Sequence, residues 1–130
     1  MCLHGFADTW RTWQLVLPAL ERRHEVLAPT LAGHAGAPPI AGPVTDRTLA
    51  DAVERAMDAA GIGMAHIAGN SLGGRVALQL AARGRARSVV ALAPAGGWAR
   101  DDRSHLVLLD RQAQMWAALR RLAPQVDAFL

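Results

Sequence analysis

The sequence predicts an α/β fold, a three-layer sandwich of helices on a mainly parallel sheet, and three observations carry that prediction. Short apolar runs of strand length alternate with longer stretches of helical period, in the order strand, helix, strand, helix, strand, helix, strand. One of them, Ser88-Val89-Val90-Ala91-Leu92-Ala93-Pro94, is apolar without alternation, the pattern of a strand buried on both faces of a parallel sheet. Glycine or proline stands where each right-handed crossover has to turn.

Taken in order, Met1-Cys2-Leu3 reads as the end of a strand entering the turn His4-Gly5-Phe6. Residues 8–20 carry Trp10, Trp13, Val16, Leu17 and Leu20 at helical spacing, and Pro18 is expected to kink or shorten that helix. His24-Glu25-Val26-Leu27-Ala28-Pro29 reads as a short strand with residues 30–36 as its exit loop. Residues 45–60 make the clearest helix. Leu49, Val53, Ala56, Met57 and Ala60 form its apolar stripe, Thr45 or Thr48 caps it and Gly61 ends it. Met64-Ala65-His66-Ile67-Ala68 is the next strand, residues 75–83 the next helix with Gly84 as its stop, and Ser88 to Pro94 the last strand. Ala95-Gly96-Gly97-Trp98 is its loop. From residue 103 the pattern is helical again, through Leu106, Leu109, Met115, Trp116, Leu119 and Leu122. The expected division is a core over 1–98 and a further helical stretch over 99–130.

The chemistry concentrates in Ile67-Ala68-Gly69-Asn70-Ser71-Leu72-Gly73-Gly74, a Gly-x-Ser-x-Gly string between a strand and a helix. Glycines at 69 and 73 let the backbone crowd, which holds Ser71 in a strained conformation and lifts its hydroxyl above the sheet. The amide of Leu72, at a helix N-terminus, then points at a developing negative charge. No Gly-Lys-Ser/Thr follows the glycines, so a phosphate loop is excluded, and no Gly-x-Gly-x-x-Gly follows the first strand, so a dinucleotide fold is too.

The stretch resembles the nucleophile elbow of the α/β-hydrolase family, and His4-Gly5-Phe6 after an apolar strand is similar to that family's oxyanion loop. The resemblance implies Ser71 as nucleophile and the amides of Phe6 and Leu72 as oxyanion donors. His4, Gly5, Gly69, Asn70, Gly73 and Gly74 support the turn and loop, His4 as a brace rather than a proton carrier. It also implies that the chain corresponds to strands three to six of about eight, lying side by side as 4-3-5-6, and that 99–130 is the start of a helical lid. Residues 30–36 are similar to an Asp-x-x-Gly-His-Gly segment, with Thr30 and Ala35 departing from it. Trp10, Trp98, Met115 and Trp116 are candidates for a pocket wall, against the plainer reading of packing residues.

Composition bounds the rest. Net charge is +3, from fourteen arginines against eleven acidic residues, too small and too dispersed for nucleic acid. The lone Cys2 excludes an internal disulfide, and no apolar run reaches membrane-spanning length, so a cytoplasmic protein is expected, with no membrane partner. No cluster has metal-ligand spacing, and no organic cofactor is implied.

A serine needs a base, and the base an orienting acid, which in the resembling family follow on later loops. Nothing here matches those loops. Asp101, Asp102 and His105 have the right order but sit too close together to replace them, and His66 lies within the serine strand. The expectation is therefore a serine hydrolase of small-molecule esters, thioesters or C–C bonds, represented by an incomplete fold of little activity on its own. The alternatives are a cofactor-free haloperoxidase, lyase or acyltransferase of the same family, or a non-catalytic remnant binding a small ligand or partner chain. The strands ending at Pro29 and Pro94 should be open edges, prone to self-association.

Overall fold

The computed structural model describes residues 1–97 together with Arg111, Gln114 and Ala118. The chain divides into two compact units, Met1–Gly96 and Gly97–Leu130, and the sheet and the serine turn both belong to the first. The expectations for Trp98, Met115 and Trp116, and for Asp101, Asp102 and His105, fall outside the described residues.

Three parallel strands form the sheet: β1 (Cys2–Leu3), β2 (Ala65–Asn70) and β3 (Ala86–Leu92), with β2 in the middle. Leu3 pairs with Gly69, and beyond an irregularity between Ala65 and His66 the register sets His66 opposite Ser88 and Ala68 opposite Val90. Between β1 and β2 runs α2 (Asp46–Ala59), and between β2 and β3 runs α3 (Leu72–Ala82). The latter packs on all three strands and against α2, so these helices cover one face. Burial follows the sequence pattern of α2: Leu49, Val53 and Met57 join Leu3, Ile67, Val76 and Leu80 in the core. Thr45 caps α2, its hydroxyl accepting from Thr48 N while the Thr48 hydroxyl accepts from Thr45 N. Arg83, just past α3, donates to Asp51 and Glu54 of α2 and ties the two helices at their wet rim.

Three expectations differ in detail. Residues 24–29 form no strand; their tie to β1 is the Cys2 amide donating to the Leu27 carbonyl (2.9 Å). One such bond does not make the run of paired residues that defines a strand. Among the described residues the sheet thus has three strands where about four were expected. Residues 8–20 are not one kinked helix but a 3₁₀ turn (Trp10–Trp13) followed by the short helix α1 (Leu17–Glu21). Pro18 lies in the first turn of α1, where a missing N–H costs nothing, so it starts a helix instead of bending one. Lastly, β3 is not buried on both faces: Val90 and Leu92 are 56% and 45% exposed. Their face is opposite α3, and α1 reaches toward it only through Leu20, which shares a cavity wall with Val90.

Candidate active site

The serine turn is built by close backbone approach. A Cβ at Gly69 would lie 2.3 Å from the Gly73 carbonyl oxygen, and one at Gly73 would lie 2.2 Å from the Leu3 carbonyl oxygen and 2.6 Å from that of His4. Any side chain at these points would drive β2, α3 and the end of β1 apart. Ser71 occupies the bend itself as the N-cap of α3, with φ +50° and ψ −112°, a conformation rarely adopted by residues with a side chain. Hydrogen bonds fix it there: Ser71 N donates to Leu92 O (2.9 Å), and Ser71 O accepts from Arg75 N (3.1 Å) and Ala95 N (2.9 Å). The serine is half-buried, and among the described residues nothing hydrogen-bonds its hydroxyl. Leu72 opens α3 directly behind it, so its amide is among the first-turn donors without an intrahelical partner.

The His4-Gly5-Phe6 loop meets this bend. A Cβ at Gly5 would stand 3.5 Å from Ser71 Cβ and 3.0 Å from Asn70 Oδ1, so the loop backbone passes directly beside the serine. His4 is fully buried, and both ring nitrogens are committed. Nε2 accepts from Leu31 N (2.8 Å), which requires the proton on Nδ1, and Nδ1 donates to Gly5 O (2.7 Å). Burial holds this imidazole below the ordinary histidine range, the bond to Gly5 O opposing it in part. The His34 ring packs edge-on against His4 at 4.9 Å and against Phe6 at 6.1 Å. The structure therefore brings Ser71, Leu72, Gly5, Asn70 and the start of the Phe6 loop to one end of the sheet. Trp10 follows in the adjacent 3₁₀ turn, 39% exposed with the Arg11 guanidinium over its ring, while Trp13 is buried.

Neither a histidine nor a carboxylate engages Ser71 among the described residues. His66 lies at the other end of β2, its Nδ1 2.8 Å from Ser88 Oγ, a pairing that sequence reading missed. It depends on strand register, which no local pattern in either strand specifies. Among the described residues no group of three histidine, cysteine or acidic side chains could hold a metal ion, and no helix is long and apolar enough to cross a membrane.

A helix-backed parallel sheet carrying a strained residue at a strand-to-helix turn defines a class, and comparison with known proteins supplies the family. The chain belongs to the alpha/beta hydrolase fold family, whose model matches residues 1–127. It is 58% identical over 57 residues to the epoxide hydrolase EphH of Mycobacterium tuberculosis, a match covering 44% of this chain and 27% of that protein. Among solved structures it is similar to a hydrolase from Pseudomonas aeruginosa PA01, with 31% identity and a TM-score of 0.70 over 76% of this chain and 38% of that one. It is also similar to the meta-cleavage product hydrolase CumD from Pseudomonas fluorescens IP01, with 30% identity and a TM-score of 0.69 over 76% and 39%. The matches span 26% to 36% of the length of the other curated relatives.

Proposed function

We propose that Ser71 is the nucleophile of a serine hydrolase that attacks the carbonyl of a small-molecule ester, thioester or C–C bond beside a carbonyl. The observation that carries this is the Ser71 backbone at φ +50° beside the Gly5 backbone, with no hydrogen bond to its hydroxyl among the described residues. In this reading the tetrahedral oxyanion is received by the amides of Leu72 and Phe6, and removing one such donor costs about 10²–10³ in rate. The identity of the nucleophile also narrows the chemistry. A serine that opened an epoxide would become an ether, which water does not release, whereas an acyl-serine hydrolyses; the likeness to an epoxide hydrolase therefore does not extend to that substrate. Turnover further requires a base for the Ser71 proton, which the described residues do not supply.

Because turnover needs a base and geometry does not, the test is a transition-state mimic. Phenylboronic acid at millimolar concentration should add to Ser71 Oγ and become tetrahedral, seen as an upfield boron NMR signal. In Ser88→Ala the signal should remain, and adding Ser71→Ala to that variant should abolish it. A wild-type chain giving only trigonal boron overturns the reading.

A further inference from the structure

Ser71 is not the sole serine whose surroundings bear on reactivity. Ser88 lies on the open face of β3, and strand register sets it directly across from His66, whose Nδ1 is 2.8 Å from Ser88 Oγ. Both side chains are exposed to solvent. Neutral histidine in water carries its proton mostly on Nε2, which leaves Nδ1 to accept from the serine hydroxyl. Beside the pair is a cavity of about 140 Å³ whose walls include Cys2, Leu20, Ala68 and Val90. An apolar cavity of roughly 150 Å³ is large enough for benzene, so a short acyl chain or a phenyl ring fits. Cys2 and the Met1 amine are the other nucleophiles there; burial raises the Cys2 thiol above the ordinary range and keeps it protonated, and acetyl on either would appear in tryptic peptide 1–11, not 88–100.

We infer that Ser88, with His66 as its base, is a second acyl-acceptor site on this chain, for aryl esters of short carboxylic acids. Ser88 Oγ attacks the ester carbonyl, forming the Oγ–C bond as the C–O bond to the aryl group breaks. The phenolate leaves, and the hydroxyl proton passes to His66 Nδ1 and on to water. The serine alkoxide is a far poorer leaving group than the phenolate, so the reaction stops at a stable serine ester after one equivalent. This site does not depend on the role proposed for Ser71.

The experiment is incubation with p-nitrophenyl acetate, tryptic digestion and mass spectrometry. Cleavage after Arg87 and Arg100 yields a peptide over 88–100 in which Ser88 is the one hydroxyl residue, and cleavage after Arg55 and Arg75 yields one over 56–75 in which Ser71 is. Acetyl should accumulate on peptide 88–100 in the wild type and in Ser71→Ala, and its rate should fall about tenfold or more in His66→Gln. Ser88→Ala should remove it while far-UV circular dichroism stays unchanged. Equal labelling in His66→Gln and wild type, or labelling of Ser88 no faster than of Thr12 in its own peptide, overturns the inference.

Discussion

Substituting Gly73 by alanine tests the idea that backbone contact, not side-chain packing, positions the serine turn. Two effects oppose each other. Alanine in the first turn of α3 gains about 1 kcal/mol of helix propensity over glycine. Against this, its Cβ would fall 2.2 Å from Leu3 O, 2.5 Å from Leu3 C and 2.6 Å from His4 O. All three are backbone atoms of β1 and its exit, held by the ladder to β2, so no rotamer change relieves the contact. The strand and helix must separate by about 1 Å, and interiors packed at crystal density resist this. Overpacking typically costs about 1–3 kcal/mol, and a triple backbone clash belongs at or above the top of that range. The net loss is then about 2 kcal/mol or more, which in a domain of this size lowers the melting temperature by roughly 10 °C or more. Gly63 is the control: nothing lies within 4 Å of its added Cβ and its φ is not positive. Gly63→Ala should stay within about 1 kcal/mol of wild type, on the stabilising side. Thermal denaturation followed at 222 nm reads both. Gly73→Ala melting together with wild type and Gly63→Ala would refute the reasoning.

Four further outcomes are expected. Since the Ser71 backbone is strained, Ser71→Gly should be more stable than Ser71→Ala by about 1–2 kcal/mol in urea denaturation, and the reverse order would locate no strain at this residue. In His4→Phe the buried Leu31 amide loses its acceptor, a cost of about 1–3 kcal/mol. The folded His4 imidazole titrates below its ordinary value of 6.5, so the unfolded chain takes up that proton first. This contribution is complete above pH 6.5 and is lost as pH falls below it; stability measured against pH should therefore fall less steeply in His4→Phe than in wild type. Val90→Lys, on the exposed face of β3, should reduce concentration-dependent mass in sedimentation velocity, whereas association unchanged by the lysine would put the contact elsewhere. With p-nitrophenyl acetate, peptide 56–75 should remain almost free of acetyl, because a missing base costs a serine hydrolase about 10⁴–10⁶ in rate; stoichiometric acetylation of Ser71 would mean that a base reaches it.

How much of this was readable in the sequence follows from how local each cause is. The helix over 46–59 was legible because its cap, its stripe of Leu49, Val53 and Met57, and its end lie within the helix and the residues flanking it. The serine turn was legible for a related reason: Gly69 and Gly73 are spaced to allow one particular crossing of backbone, and little else requires both. Residues 24–29 have strand composition, but a strand is a relation between two segments, and the single bond from the Cys2 amide to Leu27 O does not complete one. The exposure of Val90 and Leu92 was illegible because composition records what a face can tolerate, not what covers it. The His66–Ser88 pair needed the register between β2 and β3, and the irregularity after Ala65 shows how little warning the strand itself gives.

The same distinction separates the two halves of the proposed chemistry. Ser71 is held by contacts that are almost wholly main chain: its own amide to Leu92, its carbonyl to Arg75 and Ala95, and glycine against glycine beneath it. Such contacts are indifferent to side-chain identity on the open face of β3, so a lysine at Val90 should leave boronate addition at Ser71 untouched. A base, by contrast, must be delivered as a side chain to the hydroxyl. His4 cannot serve without giving up Gly5 O or Leu31 N, and protonating it would convert Nε2 from acceptor to donor and break the Leu31 bond. A buried brace and a mobile proton carrier are incompatible demands on one ring. Geometry and reactivity at Ser71 are therefore expected to fail independently, the first through Gly73 and the second through whatever group is or is not brought to the hydroxyl.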